Sequence, residues 1–495
     1  MKSKTSLPSV LLFTLISFLF AQTASAGSAT WNLNPVSGDW NTAANWTPAT
    51  VPNGPSDTAT FGASNMTAVS VSANTTLNGI VFNAGASAFA VTASPTFALT
   101  ISGVGVANNS GITQNFATAA NGTGSTSSIL FTNSATAGSA TFFTNGAGAF
   151  VQFEDTSTAG AGTFTNNGGD SSNPLGGATN FFGSSSAGNG TFTNNSSADT
   201  SAFGGSTIFH DSSTAASSTL IANTGSGGNN QGVIEFDDDS SGVAPRVEVF
   251  GQGYLDISAH NPGSVTIGSL EGDGSVLLGA NNIAIGTNKI LTTFAGVISG
   301  SGSVIMSGST RLTFVNANTY LGGTIMNLGG IVANNARGSA TGPGPVQVNK
   351  DTLGGRGTIA GTVTIGDGTV STGPKPTLAP SVDSKHATLT IQSLLTFKRD
   401  GSYTYKLNTS SMVADQVIAN GVTIEAGALF RLSQVANKRL PLGTVFTAIS
   451  NTSTLPINGT FANLSDGSTL VAGRNNYQAS YEGGDGNDLT LTVVQ

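Results

Sequence analysis

Asp237, Asp238 and Asp239 form the only run of three adjacent acids in this 495-residue sequence. Paired carboxylates can hydrolyse glycosidic bonds, one as proton donor and the other as base or nucleophile. Adjacent acids also hold a cation weakly, although the alternating ligands of an EF-hand loop are absent. A lyase of the pectate type would need an Arg or Lys base beside calcium carboxylates, and no Lys or Arg lies between Lys4 and Arg246. A second candidate is GGDGNDLTL, from Gly483 to Leu491. Stacked GGxGxDxUx nonapeptides chelate calcium, and Asp485 and Asp488 would be the ligands. Here the motif occurs once, with Thr490 at the large apolar position, so half a cage is the most it supplies. A Gly-rich hairpin turn before LTLTVV explains it better.

The remaining reactive types form no constellation. His210, His260 and His386 lack metal-ligand spacing, and there is no cysteine to join them. No GxSxG elbow occurs, and GSGS and GRGT lie between strand-like runs where no helix opens for a phosphate. LPLGT at Leu440 has the wrong order for a sortase signal. The sequence thus predicts no catalytic residue, no cofactor and no strong metal site.

The elements that would position these residues repeat. Five segments align at Phe131, Phe153, Phe181, Phe209 and Phe236, separated by 22, 28, 28 and 27 residues. Their third places hold Asn133, Asp155, Gly183, Asp211 and Asp238, types that exchange freely where a chain turns out of a strand. Turn chemistry therefore accounts for those acids. A second element places an apolar residue at Phe142, Phe164, Phe192 or Leu220, followed three residues later by Asn145, Asn167, Asn195 or Asn223. GDGSV from Gly272 returns as GSGSV from Gly300, 28 residues on, and as GRGTI from Gly355.

A period near 28 with alternating strands predicts an all-β solenoid, a right-handed parallel β-helix with coils of about 27–28 residues. Stacked phenylalanines would fill its core, and stacked asparagines would satisfy buried turns. About 17 coils and a rod roughly 80 Å long follow from a strand spacing near 4.8 Å. A β-sandwich array or a propeller is the rival architecture.

Composition agrees. Gly numbers 66 of 495 and Phe 27, with 38% hydrophobic and 8% charged residues, so helices are disfavoured while a core remains available. Residues 27–245 carry a net charge of −11 and residues 246–495 about +1. A stretch so free of cations cannot grip a phosphate backbone or an anionic membrane surface, which excludes nucleic acid as a partner. Lys2 and Lys4, the apolar run Val10 to Ala21 and Ala24-Ser25-Ala26 read as a signal peptide cleaved near Ala26. No transmembrane helix is predicted after it. The expected parts are a signal peptide (1–26), a Trp-containing segment with the first coils (27–105) and the Phe/Asn repeat (106–262). A further β-helix (263–365) and a C-terminal β cap (366–495) complete them.

Residues 295–334 resemble the autotransporter-associated β-strand repeat, also called the passenger-associated transport repeat. The matching residues are Gly300, Gly302, Ser303 and Val304, then Asn318, Thr319, Tyr320, Gly322, Gly323 and Thr324. MSGSTR replaces the usual middle, and the Trp31, Trp40 and Trp46 segment and the sequence after Gly373 resemble the ends of similar exported chains. The resemblance implies a secreted or cell-surface passenger, a non-catalytic stalk or adhesin-like element touching neutral glycan or protein. A polysaccharide-active enzyme on the same rod is the alternative, and a calcium-dependent structural module the third reading. No translocator barrel follows the passenger-like close, so another component is expected to provide outer-membrane transport.

Overall fold

The computed structural model describes residues 27–120, 126–199, 201–224, 231–369, 373–382 and 386–495, so the predicted signal peptide lies outside them. Parallel strands stack into a β-solenoid of about 15 turns. No helix among the described residues is long and apolar enough to cross a membrane. One continuous sheet, the first face, runs from Ala29–Trp31 through Ser128–Phe131, Phe150–Phe153, Ala178–Phe181, Ser206–Phe209 and Val233–Phe236 to Val297–Ser299. A second face carries Gln114–Thr118, Ser139–Asn145, Ala161–Asn166, Thr191–Asn194, Thr219–Ala222 and Arg246–Val249. Between them a third side is a row of single bridges, Gly105–Thr136–Thr158–Ser186–Thr214–Ser241.

Register explains the core. Phe131, Phe153, Phe181, Phe209 and Phe236 pair in order on the first face, fully buried, with ring centroids 4.8–4.9 Å apart and nearly parallel planes. A second column, Phe116, Phe143, Phe164 and Phe192, stacks at 4.7–4.8 Å on the opposite wall. Within a coil the two columns meet edge to face, as Phe153–Phe164 at 5.8 Å and Phe181–Phe192 at 5.6 Å. Each such pair adds about 0.5–1.5 kcal/mol beyond area burial.

The period is less uniform than the sequence suggests. After Phe236 the coil shortens: Ile234 pairs with Leu255, Leu255 with Val276 and Val276 with Ile298, steps of 21, 21 and 22 residues. The 28-residue echo from GDGSV to GSGSV is therefore not a coil repeat. Val276 pairs with Ile298, and Val304 with Ile283. What Gly272, Gly300 and Gly355 share is a corner backbone, with φ of +102°, +122° and +113°.

The asparagines also shift. The inward partner of Phe164 is Phe143, with Phe142 pointing outward, so Asn145 stacks on Asn166 and Asn194. Asn145 Nδ2 donates to Asn166 Oδ1 and Asn166 Nδ2 to Asn194 Oδ1, both at 2.7 Å. The second N–H of Asn166 reaches Ser206 O at 2.7 Å, and Thr179 Oγ1 donates to Asn166 Oδ1 at 2.9 Å. Asn167, Asn195 and Asn223 form a parallel, half-buried row one residue later, joined at 3.2 and 3.4 Å.

Both ends of the stack reverse direction. Trp46–Thr47 runs antiparallel to Ala29–Trp31, and Trp31, Trp40 and Trp46 close the core over Phe61 with centroids 4.9–6.0 Å apart. At the other end Val445–Asn451 follows the parallel coils on one edge and pairs antiparallel with Asp488–Val494 on the other. Asn475–Gly483 and Thr469–Ala472 continue that antiparallel sheet. Reversal blunts edges that would otherwise template further strands.

The inner asparagine row yields a direct test. Asn166→Leu leaves buried N–H, hydroxyl and carbonyl groups without partners and should cost about 1–3 kcal/mol. Asn195→Leu, on the half-buried row, should cost within about 0.5 kcal/mol. Local amide exchange and denaturant melts of the two variants measure the difference, and equal melts would remove the inner row as a stabilising element.

Candidate functional site

The acids chosen from sequence are placed first by backbone. Asn133, Asp155, Gly183, Asp211 and Asp238 all sit in the left-handed region, with φ between +52° and +65°. Their carboxylates cap the preceding coil: Asp155 Oδ2 accepts Asn133 N at 2.8 Å, and Asp238 Oδ2 accepts Asp211 N at 3.1 Å. Asp239 Oδ1 accepts Asn261 Nδ2 at 2.9 Å, on the exposed side of the corner. Asp237 alone turns back toward the first face, 3.4 Å from His210, whose ring stacks on Phe182 at 4.5 Å. The three adjacent acids thus point to three different places.

Gly483 and Asp488 pair across a hairpin, with Gly486 N bonded to Gly483 O at 2.9 Å. The buried Asp488 carboxylate accepts Asn451 N at 2.8 Å, while Asp485 is exposed. Burial raises the Asp488 pKa and the hydrogen bond from Asn451 opposes it. Among the described residues no group of three His, Asp or Glu is arranged to hold a metal ion. The NTYLGGT segment forms a corner as well. Asn318 Oδ1 accepts Ile298 N and its Nδ2 donates to Ala340 O, while buried Tyr320 bonds Thr324 at 2.6 Å. A side chain at Gly302 would collide with Asn281 O. Thr319 N donates to Ile298 O, Gly323 takes a φ of +85°, and a Cβ at Gly322 would strike Ser303 Oγ.

A site that sequence reasoning missed lies on the outer side of the first face. Outward side chains alternate with the buried phenylalanines, giving one row of Phe150, Ala178, Ser206, Val233 and Tyr254. Beside it runs Gln152, Asn180, Ile208, Glu235 and Asp256. Loops overhang these rows because the 28-residue coils insert chain after Asn166 and Asn194, where the 22-residue coil turns directly from Asn145 to Phe150. The loops stack like the coils themselves, with Gly169 N bonded to Phe203 O at 2.8 Å and Phe203 N to Pro174 O at 2.7 Å. Leu175 and Phe203 project from them, 56% and 60% exposed. Together they enclose a trough of about 520 Å³ that includes Glu235 and Tyr254.

Its electrostatics are strained. Glu235 and Asp256 are register partners on adjacent strands, and Asp237 follows two residues after Glu235. Burial, then the charges of Asp237 and Asp256, push the Glu235 carboxyl up to about 7. Burial also raises Asp237, with His210 opposing, and raises the Tyr254 phenol with help from Glu235 and Asp256. A carboxyl that titrates near neutrality can give or take a proton, or serve as a neutral hydrogen-bond donor. The signals in the sequence were the alternation before Phe236 and the difference between coils of 22 and 28 residues.

No family model matches the chain. Over 94 residues, 19% of this chain, it is 35% identical to the adhesin BmaC autotransporter of Brucella suis biovar 1 (strain 1330), of which the match spans 3%. The Haemophilus influenzae Hap adhesin structure aligns with 89% of this chain and 64% of its own, at 10% identity and a TM-score of 0.27, too low to establish a shared fold.

The raised Glu235 pKa makes stability depend on pH. In the folded chain Glu235 holds its proton up to about 7, whereas the unfolded chain releases it near 4.5. Stability from this group is therefore complete at acid pH and falls as pH rises through that window. Allowing for solvent screening at a half-buried group, Glu235→Gln should gain about 1–2 kcal/mol at pH 8 and nothing at pH 4. Melts at the two pH values check this, and a variant no more stable at pH 8 would refute the strained pairing.

Proposed function

We propose that this chain is an exported, passenger-type β-helical rod that acts as a non-catalytic, adhesin-like contact surface. The observation that carries the reading is the trough on the outer side of the stack, walled by Leu175 and Phe203 from loops outside the core. The 94-residue likeness to an autotransporter adhesin supports it, as does the resemblance of residues 295–334 to the passenger-associated repeat. The signal sequence at 1–26 supports export to the cell surface or medium. The ligand is another cell's surface glycan or protein, met by exposed Thr, Asn and aromatic side chains.

One observation favours a second reading. Glu235 lines the trough with the Asp256 carboxyl as its register neighbour, and Glu235 titrates near neutrality, as an acid–base pair requires. A polysaccharide-active enzyme would use them. The discriminating experiment incubates the purified chain with neutral and acidic glycans and follows reducing ends and unsaturated products, with and without calcium. In parallel, chain-coated beads are scored for adherence to bacterial and host cells. Adherence without product is the expected outcome. Product formation that disappears in Glu235→Gln, with the fold intact, would overturn the adhesin-like reading in favour of the enzyme.

A further inference from the structure

We infer that the trough beside Glu235 binds an extended, positively charged segment of a partner protein. Basic side chains of that segment reach Glu235 and Asp256, and apolar ones lie against Leu175 and Phe203. The inference rests on the adhesin-like reading and adds the partner's chemistry.

Shape comes first. Phe150 and Tyr254 stand four coils apart in one outward row, so about 19 Å separates them at the strand spacing. Between them the floor is low, built from Ala178, Ser206 and Val233. A length of about 19 Å accommodates roughly six residues of extended peptide, whose side chains alternate to opposite sides. One side of the trough is apolar, at Leu175 and Phe203, and the other carries Glu235. Alternating apolar and basic residues match both sides at once.

Charge complementarity selects the sign. Glu235 and Asp256 lie side by side in register, an arrangement that is unfavourable in a sheet unless something neutralises it. Among the described residues no ion pair reaches either one. Residues 27–245 contain no Lys or Arg, and Arg246 is already engaged by Glu248 and Glu271 on the second face. The titratable groups around Glu235 are Asp237 just past the end of its own strand, Asp256 and Tyr254 on the following strand, and His210 just past the end of the preceding one. His260 lies beyond, near Asp237. An entering ammonium or guanidinium group converts the crowded acids into charge-assisted pairs. Because Glu235 is largely protonated below neutrality, binding such a cation releases its proton, and affinity must rise with pH.

The test uses the purified full chain and an acetylated, amidated peptide of alternating lysine and leucine, roughly eight residues long. Its affinity is measured by titration calorimetry at pH 6 and pH 8. Binding about tenfold tighter at pH 8 is expected, the ratio set by a carboxyl titrating at about 7. Glu235→Gln should abolish that pH dependence. Glu235→Gln with Asp256→Asn should weaken binding at pH 8 by about tenfold or more. Phe203→Ala should weaken it at both pH values.

Equal binding of a glutamate–leucine peptide, or unchanged affinity in the double variant, would overturn the inference. So would a glucosamine hexamer that reproduces the same pH and variant dependence, since the occupant would then be an amino sugar. If the double variant still adheres to cells but has lost no peptide affinity, the trough assignment fails while the adhesin-like reading stands. If the unaltered chain binds peptide as expected but adheres to no surface, the broader reading fails instead.

Discussion

Parallel strands can repeat along an axis only at the spacing of their backbone hydrogen bonds, and every other feature of this protein answers to that distance. At about 4.8 Å the side chain above and the side chain below any inward position are in contact. A flat ring fits that gap face to face, which is why phenylalanine stacks on phenylalanine with planes tilted by only 8–12° from Phe131 to Phe236. A primary amide fits it edge to edge, so Asn145, Asn166 and Asn194 pass hydrogen bonds along the axis and also tie the second face to the first. Length can vary only at the corners, because a change within a strand would break register with both neighbours. The coil of 22 residues and those of 27 and 28 therefore share one core and differ in what they hang outside it.

This constraint also explains what could be read from the sequence. The five phenylalanines were legible because their columns demand one residue type at one spacing, and the third place was legible because Asn, Asp and Gly share access to a left-handed backbone. The asparagine row was read one residue late. Doublets such as Phe142-Phe143, Asn166-Asn167 and Asn194-Asn195 offer two alignments, and a one-residue shift in a strand exchanges inside for outside. The repeated glycine motifs after Gly272 recorded corner geometry and not coil length, so they suggested a period that the hydrogen-bonded register does not follow. About 15 turns replace the expected 17. For Glu235 the alternation before Phe236 signalled only an outward position, because its environment is made by Tyr254 and Asp256 from the next coil and by loops whose stacking no local pattern encodes.

The trough is where the chain departs from its own economy. Elsewhere the scarce acids are used at corners, where Asp155, Asp211 and Asp238 cap backbone N–H groups of the coil before. Glu235 has no such role, and it sits beside Asp256 on a face where threonine, asparagine or serine would be cheaper. In a fold that is locally consistent almost everywhere, this is the place where consistency is given up.

The orientation of the hydrogen bonds has a mechanical consequence. In a stack of coils the interstrand bonds point along the rod, so tension applied between its ends pulls each junction open along its bonds, and the weakest yields first. Such a rod unzips from a terminus instead of shearing as a block. Each coil of 28 residues, once released, adds roughly 90 Å of extended chain. The reversed strands over Trp31, Trp40 and Trp46 and the antiparallel sheet ending at Val494 bear the first load. Their strength sets the force at which a rod of this kind begins to lengthen, and the phenylalanine columns set how evenly it yields thereafter.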